Sequence, residues 1–297
     1  MTKENNVTLV AHDAGGAEIL SSWAILQKKN YSFCIEGPAL NIFKRKFGEI
    51  KNQNLDEALK KSNLLVCGTS WESRIEIDAI EISKRNKIKS IAILDHWVNF
   101  KERFFIGEKL IIPDELWVVD VKAKSIAKNF FPSTKILQIP NYYMNDIVSE
   151  AKNKQLFFKS TAILYICEPI RRHNTIKLQH VKEQKYNELD AIDFFLENIS
   201  AISKENKQII FRPHPSEKPE DYKWIINKYD RYNIEISEDK NLIEDICRSA
   251  IVLGCESMAM VVALKLNKRV ISSIPIKGLK HCLPFKKIEY LYKLIKA

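Results

Sequence analysis

Two short strings in this chain place an imidazole beside a carboxylate: Ala11-His12-Asp13-Ala14-Gly15-Gly16-Ala17-Glu18 and Asp95-His96-Trp97. A carboxylate at a strand end can take the proton of an attacking hydroxyl, and a neighbouring histidine can orient it or meet a phosphate. Asp13 is therefore the leading general-base candidate, with His12 as its partner, although an aspartate there could equally cap the helix that follows. Asp95 and His96 form the rival centre. Gly15 and Gly16 would let the backbone approach a ligand closely at a strand-to-helix turn, and Thr69, Ser70 and Glu72 in Gly68-Thr69-Ser70-Trp71-Glu72 add polar groups to the same cleft. No i,i+4 or short-loop spacing links His12, Asp13, Asp95 and His96, so no metal is expected. The G-x-G-x-x-G fingerprint is missing, which argues against a dinucleotide cofactor.

The second half carries its own polar strings. In Phe211-Arg212-Pro213-His214-Pro215-Ser216 two prolines fix the backbone around His214, so Arg212 and His214 could be held beside an anion at little ordering cost. Val252-Leu253-Gly254-Cys255-Glu256-Ser257 reads as strand, glycine turn and helix start. Ser257 and the first-turn N–H groups could bind a phosphate there, and Glu256 a ribose hydroxyl; an ordinary helix cap explains the same residues. Cys167-Glu168-Pro169-Ile170-Arg171-Arg172-His173 would bring Glu168 and two further cations to that edge.

These strings need strands to position them. Apolar runs recur at Val7–Ala11, Ser32–Ile35, Leu64–Cys67, Ser90–Leu94, Leu116–Val119 and Ile136–Ile139, with helix-compatible segments between most of them. Because the runs are apolar on both faces, they suit a parallel sheet covered by helices on each side. After Pro140 the rhythm breaks, then restarts at Ala162–Cys167, Gln208–Phe211, Asn233–Ile236, Ile251–Leu253 and Arg269–Ser272. Helices are expected near Lys185–Ser203, Pro219–Tyr229, Leu242–Arg248 and Ser257–Leu266. The reading is α/β, with two Rossmann-like domains facing a central cleft. Residues 1–150 form the first, 151–285 the second, and the boundary lies near 142–160. A last helix over 286–296, with Ile288, Leu291, Tyr292 and Ile295 on one face, must pack on another element.

Composition narrows the class. With 45% hydrophobic and 28% charged residues, the 297-residue chain is globular rather than disordered. Lys and Arg (47) exceed Asp and Glu (37), and the net charge of +10 favours an anionic partner, although scattered lysines also make an ordinary solvated surface. No nucleic-acid reader motif is present, so nucleic acid is not an expected partner. Six cysteines without a C-x-x-C pair read as reduced thiols of a cytoplasmic protein. No run reaches the length of a membrane span, which leaves at most a peripheral association with the inner face of a membrane.

The combination of Arg212-Pro213-His214-Pro215 after a strand with Gly254-Cys255-Glu256-Ser257 and Leu264-Lys265-Leu266-Asn267-Lys268-Arg269-Val270-Ile271 resembles the donor half of GT-B glycosyltransferases. It is most similar to bacterial sialyltransferase-like and capsule-polysaccharide enzymes with a His-Pro motif. The resemblance implies that His214 and Ser257 contact the donor phosphate, that Asp13 is the acceptor-activating base, and that the last helix crosses back onto the first domain. Its partners would be a nucleotide-sugar, CMP- or UDP-linked, and a glycan acceptor in surface polysaccharide or glycoconjugate synthesis. Glu256-Ser257 stands where those enzymes carry Ser-Ser or Ser-Thr, and Asp13-Ala14-Gly15 only loosely matches their acidic-acidic-glycine motif. The expected chemistry is inverting, metal-independent transfer. GT-B architecture also serves UDP-sugar 2-epimerases, nucleotide-sugar hydrolases and, in a different class, a non-catalytic nucleotide-binding subunit of a glycan-assembly complex.

Overall fold

The computed structural model describes residues 6–70, 73–153, 161–175, 185–205, 207–238 and 241–295. The chain divides into two compact units between Tyr143 and Met144.

The first unit runs β1 (Asn6–Ala11), α1 (Ala14–Gln27), β2 (Asn30–Ile35), α2 (Gly37–Phe47), α3 (Leu55–Lys60), β3 (Leu64–Cys67), α4 (Ile75–Arg85) and β4 (Lys89–Leu94). A small antiparallel ribbon, β5 (Phe105–Ile106) with β6 (Lys109–Leu110), precedes β7 (Glu115–Val118), α5 (Val121–Phe130) and β8 (Lys135–Gln138), and α6 (Tyr142–Asn153) begins at the division and lies mostly in the second unit. Six strands pair in parallel in the order β2-β1-β3-β4-β7-β8. The continuous apolar runs are buried on both faces because helices cover both, as in other parallel sheets. Leu9, Val66 and Ile93 pack against Ile19, Leu20 and Phe43 on one of them. Trp23 of α1 meets Trp117 of β7 edge-on at 5.2 Å, which ties helix to sheet through a favoured aromatic geometry.

The second unit runs β9 (Ala162–Ile166), α7 (Ile170–Thr175), α8 (Glu188–Glu197), β10 (Ile209–Arg212), α9 (Trp224–Lys228), β11 (Ile234–Ile236), α10 (Leu242–Cys247), β12 (Ser249–Gly254), α11 (Met258–Lys265), β13 (Arg269–Ser272), β14 (Glu289–Tyr290) and α12 (Leu291–Leu294). Its parallel sheet is ordered β11-β10-β9-β12-β13-β14. The chain begins at the middle of this sheet, moves to one edge and returns to the other side, which is the winding of nucleotide-binding Rossmann sheets. Tyr165, Phe195 and Phe211 form its aromatic centre, with Tyr165 stacked on Phe195 at 5.3 Å. Asn187 starts α8 with a reciprocal capping box to Asp190, satisfying two N–H groups that would otherwise lack partners.

The C-terminal segment corrects the expectation of a helix over 286–296. Glu289–Tyr290 adds the sixth strand of the second sheet, and only Leu291–Leu294 is helical. Leu291, Leu294 and Ile295 pack with Phe195 and Ile271 in the second unit's own core. The apolar spacing was real, but a strand followed by one helical turn buries the same residues. Among the described residues, no helix is long and apolar enough to cross a membrane.

Candidate functional site

In a doubly wound sheet, ligands bind outside the carboxyl ends of the strands where the winding reverses. In the first unit the reversal lies between β1 and β3, so His12-Asp13 and Gly68-Thr69-Ser70 stand at its edge. Asp13 occupies the N-cap position of α1 with extended backbone, yet its carboxylate makes no capping bond. Instead Asp13 Oδ1 lies 2.7 Å from His12 Nδ1. The other edge of that imidazole lies on the backbone of Gly37, which has a left-handed φ of 52° and where a Cβ would come within 2.4 Å of Nε2. The His12 side chain keeps 17% of its surface open and that of Asp13 25%.

Both glycines stand in close contacts within the first unit. A Cβ on Gly16 would lie 3.1 Å from Gly68 Cα, and one on Gly15 only 2.0 Å from Asp95 Oδ2. Gly15→Ala is expected to lower stability by about 1–3 kcal/mol, the usual range for overpacking, in a urea denaturation series; an unchanged midpoint would show that Asp95 can move away.

Asp95 does not pair with His96. Its Oδ1 accepts from Arg103 Nη1 at 2.7 Å, and the same guanidinium nitrogen donates to Thr69 Oγ1 at 2.8 Å. Both side chains are nearly enclosed, at 10% and 5% exposure. His96 packs tilted against Trp97 at 5.4 Å, and Trp97 Nε1 donates to Asp120 at 2.8 Å. Glu72 lies outside the described residues.

Two residues at this edge escaped the sequence reading. Glu76, in the first turn of α4, accepts the His12 backbone N–H at 2.9 Å and the Ser70 hydroxyl at 2.6 Å. Burial pushes its carboxyl up to about 7 against those hydrogen bonds, and the nearby charge of Asp13 adds to the rise. In sequence Glu76 looks like an ordinary polar position of an amphipathic helix. Arg103 looks like one member of the surface string Lys101-Glu102-Arg103. Neither type nor spacing marks them, because their roles arise from neighbours far away in the chain.

In the second unit the winding reverses between β9 and β12, and the loops after β10, β9 and β12 stand side by side. His214 Nδ1 accepts the Ser216 backbone N–H at 3.2 Å and lies 2.8 Å from the Ser216 hydroxyl. These two contacts from Nδ1 fix the orientation of the ring in the loop after β10. Glu217 supports the same turn: its carboxylate accepts the Tyr222 hydroxyl at 2.7 Å and faces the His214 N–H at 3.4 Å. Pro213 and Pro215 flank this ring as expected.

Arg212 is placed differently from the expectation. Its Nη1 donates to Asp245 Oδ2 at 2.7 Å, and Asp245 is fully buried. Asp245 also accepts from Ser237 at 2.5 Å and Arg248 at 3.1 Å, so Arg212 belongs to a buried network that anchors β10 to α10. Ser257 is the N-cap of α11, its hydroxyl accepting the Ala259 N–H at 3.2 Å. Glu256 accepts the Cys282 N–H at 3.0 Å. The Glu168 carboxylate closes on the turn ahead of α11: it accepts from Cys255 at 2.7 Å and from Glu256 at 3.0 and 3.1 Å. Burial raises its carboxyl to about 7 while these bonds pull the other way. Gly254 permits that contact, since a Cβ there would meet Met260 Sδ at 3.1 Å and Glu168 Oε1 at 3.4 Å. Arg171 pairs with Glu188, and Arg172 reaches the Ser216 carbonyl at 3.2 Å. Among the described residues, no group of three or more His, Cys, Asp or Glu could hold a metal ion.

The family model of alpha-2,8-polysialyltransferases matches residues 88–271, more than half of the chain. This chain belongs to the alpha-2,8-polysialyltransferase family. It is a nucleotide-sugar glycosyltransferase, and the matched span includes His214, Glu168 and the β12–α11 turn. No curated protein matches its sequence. Among solved structures it is similar to the UDP co-structure of S. aureus MnaA, with 12% identity over 90% of this chain and 78% of that one and a TM-score of 0.61. It is also similar to UDP-GlcNAc 2-epimerase from Neisseria meningitidis bound to UDP-GlcNAc, with 13% identity, 90% and 82% coverage and a TM-score of 0.57. A glycosyltransferase from Rickettsia africae ESF-5 aligns with 12% identity, 91% and 79% coverage and a TM-score of 0.50. At these identities the likeness establishes the fold, two Rossmann-like domains of GT-B type, and leaves the chemistry to the polysialyltransferase family and to the side chains.

Proposed function

We propose that this polysialyltransferase-family protein transfers a sialic-acid-type sugar from a CMP-linked donor to a hydroxyl of a glycan acceptor, with inversion and without a metal. The observation that carries the reading is the His214 ring, which its Nδ1 contacts to Ser216 hold in the loop at the carboxyl end of β10. A ring so fixed strengthens its bond to the phosphate as the nucleotide leaves and charge gathers there, without reorganising at that moment. Asp13 removes the proton of the attacking hydroxyl, and His12 holds its carboxylate in place. The acceptor oxygen forms its bond to the anomeric carbon as the bond to the phosphate oxygen breaks, and CMP departs with the electron pair. Arg212, tied to Asp245, positions the His214 loop from below and has no direct part in the scheme.

The test is a thermal-shift titration with CMP on the wild-type protein and on His214→Ala. Binding to the native state raises the melting temperature by mass action. Loss of a charge-assisted hydrogen bond of about 1.5–3 kcal/mol predicts affinity weaker by roughly 10- to 100-fold in the variant. An identical CMP response in both proteins would refute the donor-site assignment.

A further inference from the structure

Ser70, in the loop after β3, and Glu76, in the first turn of α4, form a buried pair to which the transfer scheme gives no part. Their exposures are 9% and 3%. Glu76 Oε1 accepts the His12 backbone N–H at 2.9 Å, which leaves Oε2 facing Ser70 Oγ at 2.6 Å. The same Oγ lies 2.8 Å from the Ser73 carbonyl oxygen. A hydroxyl has one hydrogen, and here it faces two oxygens. With Glu76 ionised, that hydrogen serves either the carboxylate or the carbonyl, and the other contact sets two oxygens together with no hydrogen between them. With Glu76 protonated on Oε2, the carboxyl donates to Ser70 and Ser70 donates to Ser73. Every oxygen of the group is then satisfied, as burial requires.

We propose, resting on the assignment of Asp13 as the base, that Glu76 is a positioning residue for the His12-Asp13 turn and that it serves as a neutral acid donating to Ser70. In that form one directional chain runs from the His12 N–H through the Glu76 carboxyl and the Ser70 hydroxyl to the Ser73 carbonyl. It fastens the β1–α1 turn, which carries Asp13, to the loop after β3, and bonds linked in series strengthen one another. Among the described residues, the titratable groups set against Glu76 are His12 and Asp13 from that turn and Cys67 from the end of β3. Beyond Ser70, Asp95 and Arg103 pair with each other, and at the start of α4 Arg74 pairs with Asp78. Burial and the charge of Asp13 both favour the neutral acid, and the carboxyl is raised to about 7. Loss of its proton breaks one contact of the chain and adds a second negative charge near the base.

The experiment compares the wild type with Glu76→Gln and Glu76→Ala. Glutamine reproduces the neutral acid at every pH, with its oxygen on the His12 N–H and its amide nitrogen donating to Ser70. The first readout is urea denaturation from about pH 4 to about pH 8.5, which needs no substrate. A carboxyl whose folded value lies above its unfolded one stabilises fully below the unfolded value, and that contribution is lost as pH rises through the folded one. Between about pH 4.5 and 7 the folding equilibrium constant of the wild type should therefore fall by at least about tenfold relative to that of Glu76→Gln. The second readout is steady-state transfer from a CMP-linked donor. The ratio of wild-type to Glu76→Gln kcat should fall by at least about threefold from pH 6 to pH 8.5, as the wild-type chain breaks and Asp13 loses its placement. Glu76→Ala, which removes the middle of the chain, should have a kcat at least about tenfold below that of Glu76→Gln at pH 6, with the affinity for CMP unaffected. A stability difference between wild type and Glu76→Gln that does not vary with pH overturns the neutral acid. Equal kcat in Glu76→Ala and Glu76→Gln overturns the positioning role; if the alanine protein fails to fold, a kcat ratio that is the same at both pH values does so instead. Failure of the base assignment shows separately, as an Asp13→Asn protein that keeps its kcat, and the urea result stands apart from it.

Discussion

Asp13→Asn is expected to lower kcat by about 10²- to 10⁴-fold while the affinity for CMP stays at its wild-type value, since general-base catalysis contributes on that scale. The substitution is close to isosteric, and an amide oxygen can still accept from His12 Nδ1 as the carboxylate does at 2.7 Å. The loss therefore reads the missing proton acceptor rather than a collapsed loop. His12→Gln gives the control, with an expected loss of about tenfold from poorer orientation of the carboxylate. Steady-state transfer from a CMP-linked donor, together with CMP titration, separates these effects. An Asp13→Asn enzyme that kept more than a tenth of the wild-type kcat would place the base elsewhere.

Arg103→Met is expected to cost about 3–5 kcal/mol of stability, the range found when one partner of a buried ion pair is removed and the other is left uncompensated. Asp95 and Arg103 are both nearly enclosed, and Arg103 also ties Thr69 to the same carboxylate. Methionine replaces most of the side-chain volume, so the loss reports the stranded charge more than a cavity. The check is chemical denaturation of the single variant and of the Arg103→Met, Asp95→Asn double variant. Removing the stranded carboxylate should return a large part of the lost stability, which is the signature of coupling between neighbouring sites. If the double variant is as unstable as the single one, Asp95 and Arg103 are not an interacting pair. The Asp95→Asn protein should also retain transfer activity, because its carboxylate serves Arg103 and not the acceptor.

The strands were legible because burial on both faces demands uninterrupted apolar runs, and Val7–Ala11, Leu64–Cys67 and Arg269–Ser272 stand where those runs predict. The polar strings that follow them were legible too, since ligand-binding residues of a wound sheet must follow its strands. The short strands β5, β6 and β14 were not, since two residues carry no period. The last segment shows the same limit: Ile288, Leu291, Tyr292 and Ile295 at helical spacing fit a helix face, and the fold buries Leu291 through a strand and one turn instead.

The sequence by itself determined the fold class, the position of His12-Asp13 just after the first strand and the rigid Pro-His-Pro setting of His214. Those features depend on residue type, on local spacing and on proline's restricted backbone, all of which act within a few residues. Only the tertiary structure decided which charged groups are partners. It gave Asp95 to Arg103, Arg212 to Asp245 and the α11 turn to Glu168, and it turned Gly15 and Gly16 into packing contacts. The physical reason is that a buried charge is satisfied by whatever the sheet order brings within about 3 Å, at the hydrogen-bond distances that burial requires. Glu168 meets Cys255 across 87 residues of chain because β9 and β12 are neighbours in the sheet, and no spacing in the sequence records that adjacency.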